Sequence, residues 1–300
     1  MEFGFLLQQP EYADRLLNPI PRTKWREWCE SQTKLIKRYE KDLKKGNHIK
    51  KGRDTEDAIR SILDRQHPIT ALLEIADNMD AYLNKHRLFM QPVQEMSMER
   101  DLLMFQMFPT QPLRINMYAL MKYYPDNTGN LYQKPDGSWF VRFLVHDFKN
   151  FNGAAKDKDY NICLDPFLWP KIERFLSSVR PKFKDDRANV FPTVKFLGTK
   201  DQIKKILDGR GDLASLQTAV QKRSSQFLGD ETGFCPHTVR HIVAHDCIKN
   251  HVDGYQMAAD MLHDDIKTVK QHYGHVKTKD GHSHYGKYFD EVRNGWRTQA

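Results

Sequence analysis

The chain has 300 residues, of which 39% are apolar and 11% aromatic, enough to build the core of one large domain or two small ones in a soluble, folded protein. Its 47 Lys and Arg against 39 Asp and Glu give a formal charge of +8 and a pI near 9.1, a balance that favours polyanionic partners such as nucleic acid or an acidic membrane face. No apolar stretch approaches the roughly 18 to 20 residues of a membrane helix, and the first residues, interrupted by Gln8, Gln9 and Pro10, lack the basic start of a signal peptide.

Residues 25–45 predict a helix, with Trp25, Trp28, Leu35, Ile36, Tyr39 and Leu43 as an apolar stripe at three- and four-residue steps. Residues 22–53 hold 12 Lys or Arg against four acidic residues, an excess equal to the net charge of the whole chain. Lys34, Lys37, Arg38, Lys41, Lys44 and Lys45 fall in this run, together with Lys50 and Lys51. Such a run is ordinarily a solvated helix face; in a protein that handles nucleic acid it would read as a phosphate-contacting surface. Ala58-Ile59-Ile62-Leu63 restarts the helical pattern without a capping box, and Pro68 stops it. Further helices are expected over 69–83 and 99–108.

The pattern changes at Trp139. Residues 139–145 are rich in β-branched and aromatic side chains and follow the turn signal Pro135-Asp136-Gly137, so a strand is expected, with a second over 160–164. A long hairpin connection carrying Lys149, Lys156 and Lys158 joins them. Helices follow over 170–179 and 200–207, with an irregular stretch over 181–200, and then over 212–228, 238–251, 255–262 and 266–273. The fold class is thus mainly α with a small antiparallel β-sheet. Four scattered cysteines, Cys29, Cys163, Cys235 and Cys247, form no Cys-x-x-Cys pair, so neither a disulfide framework nor a cysteine zinc site is signalled, and a reducing cytosol fits best.

Chemistry concentrates in the last third. Pro236-His237-Thr238-Val239-Arg240 opens one predicted helix, and Tyr273 closes a later one, 33 residues after Arg240. Far upstream stands Arg114, in Pro112-Leu113-Arg114-Ile115-Asn116. Two guanidinium forks suit the oxygens of a phosphodiester, a Tyr hydroxyl can attack the phosphorus and conserve the bond energy in an ester, and His and Lys can move protons near neutral pH. Nine of the 13 histidines fall between His237 and His284, and His237, His241 and His245 recur every four residues, a spacing that can chelate a metal but is more simply helix packing and surface.

Taken together, Arg114, the His237-x-x-Arg240 box and Tyr273 with its trailing Gly274-His275-Val276 resemble the catalytic set of the tyrosine recombinases, the phage integrase family, over about residues 58–290. The resemblance implies a tyrosine-recombinase-like catalytic domain over 58–300, preceded by a basic helical segment over 1–57. That segment is short for the core-binding domain of relatives, as in a reduced member or part of a longer reading frame. The family's hairpin lysine corresponds to Lys149, with Lys156 and Lys158 as rivals. The family's His or Trp lies nine residues before the Tyr in a Leu-Gly-His-like segment; Asp264 stands there, with His263 one residue earlier, and either could serve.

By the same resemblance, Tyr273 attacks a scissile phosphate to give a 3′-phosphotyrosyl link without metal, nucleotide or other cofactor. The partner is double-stranded DNA, bound by a homotetramer on paired sites, with no membrane involved, in the cytoplasm or nucleoid of a prokaryotic or phage context. Residues 285–289 are candidates for packing on a neighbouring protomer. Two other classes share much of this set: type IB topoisomerases or telomere resolvases, and inactive descendants that bind DNA and regulate.

Overall fold

Apolar spacing at three and four residues becomes helix through most of the computed structural model, which describes residues 9–45, 56–148, 159–183, 185–193, 210–229, 233–276 and 289. The chain divides into two units, residues 1–54 and 55–300. In the first, two 3-10 turns, Pro10–Arg15 and Arg22–Lys24, lead into helix α1, Trp25–Lys45. Its small core is Ala13, Trp25 and Cys29, and the Trp25 and Trp28 rings stack with centroids 5.2 Å apart. Only the first end of the apolar stripe is covered: Leu35, Ile36 and Tyr39 are exposed.

The second unit is mainly helical with one three-stranded sheet. A 3-10 turn, Asp57–Ile59, leads into α2 (Arg60–Leu63), followed by α3 (Thr70–His86), α4 (Pro92–Met107) and α5 (Ile115–Leu120). Strands β1 (Leu131–Gln133), β2 (Trp139–Phe143) and β3 (Tyr160–Cys163) come next, then α6 (Trp169–Arg174) with a π-helical turn, Phe175–Val179. The chain continues through α7 (Arg210–Leu228), α8 (Pro236–Asn250), α9 (Gly254–Leu262) and α10 (Ile266–Tyr273). No helix among the described residues is long and apolar enough to cross a membrane.

Helix α3 buries Leu72, Ile75, Met79 and Leu83, one stripe at helical spacing. Helix α4 begins at Pro92, seven residues before its expected start; the fixed φ of proline suits the first helical position, where no N–H is required. From Met98 to Phe105 α4 is buried on every side, including Glu99, Arg100 and Asp101. These charges are closed internally. Arg100 Nη2 donates to Asp101 Oδ1 at 2.7 Å, Arg223 Nε of α7 donates to Asp101 Oδ2 at 2.9 Å, and Arg87 Nη2 donates to Glu99 at 2.6 Å.

The sheet is antiparallel in the order β1-β2-β3, with Leu131 opposite Val141 and Val141 opposite Ile162. On β2, Trp139, Val141 and Phe143 are buried while Phe140 and Arg142 are half-buried, the alternation of a strand with one face on the core. The strand ends at Phe143 rather than at 145, because Leu144 N–H donates to Asp147 Oδ2 at 2.9 Å and starts the 3-10 turn Val145–Asp147. Strand β1 and helix α5 have no counterpart in the expectations above. The helix expected over 200–207 lies outside the described residues.

Helices α8 and α9 pack closely. A Cβ at Gly254 would lie 2.4 Å from the Cys247 carbonyl oxygen and 2.5 Å from the Ile248 Cα, so only glycine allows this approach. Helix α9 ends in a Schellman-type cap: His263 takes a left-handed conformation, φ 49° and ψ 54°, and Asp264 N–H donates to the Ala259 carbonyl at 2.9 Å.

Candidate active site

Arg114 sits immediately before α5, with extended backbone at φ −61° and ψ 140°. The segment leading to it is held from both sides. Buried Gln111 accepts hydrogen bonds from two buried tyrosines: Tyr118 Oη donates to its backbone carbonyl at 2.5 Å, and Tyr160 Oη of β3 donates to its side-chain oxygen. Arg240 of α8 donates from Nη1 to the Pro112 carbonyl at 2.8 Å and from Nη2 to the Leu262 carbonyl at 3.0 Å. One guanidinium therefore ties the segment before Arg114 to the end of α9, where Asp264 follows.

These ties bring distant residues to one cleft of about 300 Å³, lined among others by Arg114, His237, Arg240, Asp264, His272 and Tyr273. Asp264 Oδ2 lies 3.5 Å from Arg240 Nη2 and 3.8 Å from Arg114 Nη2. Arg240 is only 4% exposed, whereas the Arg114 side chain is 32% exposed. Burial, reinforced by Arg114, pulls the Arg240 guanidinium down to about 10, still fully charged at neutral pH. Burial also lowers the His237 imidazole, with both arginines adding to the effect, so its neutral form is favoured. The Tyr273 side chain is buried, which pushes its hydroxyl up to about 12 against the opposing pull of Arg240.

Of the residues expected at the site, Arg114, His237, Arg240, Asp264 and Tyr273 line this cleft. His263 does not. Its left-handed backbone turns the ring away, onto Phe148 at 4.4 Å and Tyr160 at 5.4 Å between centroids, and leaves Asp264 facing the arginines. Lys149, Lys156 and Lys158 lie outside the described residues. In the first unit, Lys34, Lys37, Arg38 and Lys41 are exposed along α1; Lys44 and Lys45 continue that helix, but their side chains, like Lys50 and Lys51, lie outside the described residues.

Behind Tyr273 the histidines are arranged differently from their four-residue spacing. Its ring meets His241 edge-on at 5.4 Å and His245 at 5.7 Å, and His237 meets His241 at 4.9 Å. Burial first, then His237, takes His241 down to about 4. His237, His241 and His245 do not converge on a common point. Instead His245 Nε2 lies 3.1 Å from Glu56 Oε1, and His275 Nε2 lies 2.8 Å from Glu56 Oε2. Sequence reasoning missed Glu56, Gln111 and Tyr160: no local spacing links Glu56 to a histidine 189 residues away. His272, beside Tyr273 in the chain, was within reach of such reasoning.

Comparison with models of known families, with curated proteins and with solved structures returned no match for this chain.

Proposed function

We propose that the chain is a DNA strand transferase of the tyrosine-recombinase type, which cleaves and rejoins DNA through a covalent 3′-phosphotyrosyl intermediate. The observation that carries this reading is the convergence of Arg114, His237, Arg240, Asp264 and Tyr273 on one cleft from segments as far apart as α5 and α10. Two guanidinium groups beside a tyrosine hydroxyl suit a pentacoordinate phosphate, whose non-bridging oxygens they would hold. The left-handed backbone of His263 also fits the glycine position of a Leu-Gly-His-like segment, which aligns Asp264 with the family's His.

In this reading the Tyr273 oxygen bonds to phosphorus as the bond to the 5′-oxygen breaks. The tyrosine proton passes to a base at the cleft, for which neutral His237 is favoured, and the departing oxygen takes a proton from the hairpin lysine, Lys149. Reversal by a 5′-hydroxyl of a partner strand completes exchange, in a homotetramer on two duplexes. The basic face of α1 supplies phosphate contacts. A second reading, an inactive DNA-binding descendant, is favoured by one observation: Asp264 places a carboxylate against the two guanidinium groups that a phosphate would need.

A suicide-substrate trap tests the proposal. Wild type and Tyr273→Phe are incubated with nicked DNA from the ends of the native element, without metal, and resolved under denaturing conditions. Wild type is expected to give a DNA-shifted protein band that the Phe variant lacks. Absence of the band despite demonstrated DNA binding would leave the inactive reading standing.

A further inference from the structure

We propose that Glu56, His245 and His275 form a binding site for one divalent transition-metal ion of the zinc class, joining the chain just beyond Tyr273 to α8 and to the start of the second unit. One ligand atom from each residue lies within 4.8 Å of the other two. Two imidazole nitrogens and a carboxylate oxygen are a donor set that zinc favours, with ligand distances of about 2.0 to 2.2 Å. At a tetrahedral centre such distances separate neighbouring ligand atoms by about 3.3 Å. His245 Nε2 stands 3.1 Å from Glu56 Oε1 and His275 Nε2 2.8 Å from Glu56 Oε2, so an ion would replace these two contacts with bonds to one carboxylate oxygen and both nitrogens, drawn together from within 4.8 Å.

The surroundings suit a cation. Of the cationic side chains that line the adjoining pocket, Lys249 Nζ donates to the carbonyls of Leu63, Asp64 and Arg65, and Arg60 pairs with Asp57. An open pocket of about 240 Å³ adjoins the three residues, room for a solvent ligand at a fourth position. On the inner side, His241 Nδ1 is buried with no hydrogen-bond partner among the described residues and lies 3.7 Å from Glu56 Oε1. The three ligands come from α8, from the end of the α10 segment and from the turn before α2. An ion here would therefore fix the chain on both sides of Tyr273, a structural role that needs no part in the chemistry.

The test uses the full chain, stripped with a chelator and without DNA, so its outcome is independent of the strand-transfer reading. Titration with Co²⁺ alone is expected to give a saturable visible absorption band at one equivalent, which Zn²⁺ abolishes by competition. Zn²⁺ should raise the Tm of wild type. His275→Gln, at a side chain 56% exposed, should leave the far-ultraviolet circular dichroism unchanged but weaken Co²⁺ binding at least about tenfold and remove the Zn²⁺-dependent rise in Tm. Glu56→Gln should do the same, and His67→Gln, at an exposed position, should bind as wild type does. No saturable uptake by wild type, or wild-type affinity in His275→Gln, would overturn the site.

Discussion

Around α4 the charges close on one another at hydrogen-bond length: buried Arg100 and Arg223 on Asp101 at 2.7 and 2.9 Å, and the partly exposed Arg87 on buried Glu99 at 2.6 Å. In the cleft, Asp264 faces Arg240 and Arg114 at 3.5 and 3.8 Å, longer than such bonds. The first cluster is 2 to 3% exposed at Glu99, Arg100 and Asp101, while Arg114 opens to solvent. The desolvation of a buried charge must be offset by short, well-directed partners, and the α4 network has them. At the cleft wall the carboxylate stands back from both guanidinium groups, while Arg240 is anchored by backbone carbonyls instead. The difference separates charges closed into the interior from charges that line an open cleft.

Breaking the first cluster carries the largest expected effect. Asp101→Ala leaves Arg100 and Arg223 without their carboxylate in the interior, a loss of about 3 to 5 kcal/mol. Urea denaturation followed by circular dichroism would register it as a lowered midpoint. A stability close to wild type would mean that this network does not hold α4 and α7 together. Next comes Arg114→Ala, whose expected effect is on reaction rather than folding. On the proposed strand-transfer reading, loss of one guanidinium should slow covalent adduct formation by about 10² to 10³, while unfolding free energy stays within about 1 kcal/mol of wild type, the scale of one partly exposed ion pair. The comparison fails if Arg114→Ala unfolds the protein as Asp101→Ala does, or if adduct forms at the wild-type rate.

The elements around the cleft were legible where local signals were strong. Helix α10, Ile266–Tyr273, has the bounds its spacing predicts, since Asp265 caps it by accepting from Lys267 N–H. The core of β2 was legible from its aromatic and β-branched run. Strand β1 was not: three residues, Leu131–Gln133, carry no period of their own and become a strand by pairing with β2. The helix expected over 99–108 starts earlier, at Pro92, whose fixed φ suits a first helical position, and partners distant in sequence make Glu99, Arg100 and Asp101 interior. At the site, the residue types of Arg114, His237, Arg240 and Tyr273 point to phosphate chemistry without the fold. Which of His263 and Asp264 faces the cleft required the fold, because it depends on one left-handed residue. Gln111 carries no chemistry that sequence could flag, yet its contacts with Tyr118 and Tyr160 hold the segment that presents Arg114.

The smallest expected effect separates the two roles within the cleft itself. Among the described residues, Asp264 is the carboxylate that lines the cleft beside both arginines, and it balances part of their charge. Asp264→Asn should therefore cost roughly 1 to 2 kcal/mol in anion-free buffer, the scale of two loosely held ion pairs. An added anion can take the place of the lost carboxylate, so sulfate should raise the Tm of Asp264→Asn more than that of wild type. Asp101→Ala, whose stranded arginines lie in the interior beyond the reach of solvent ions, should show no such excess. If sulfate shifts wild type and Asp264→Asn equally, the carboxylate does not stand in for an anion, and Arg114 and Arg240 belong with the structural charges of α4.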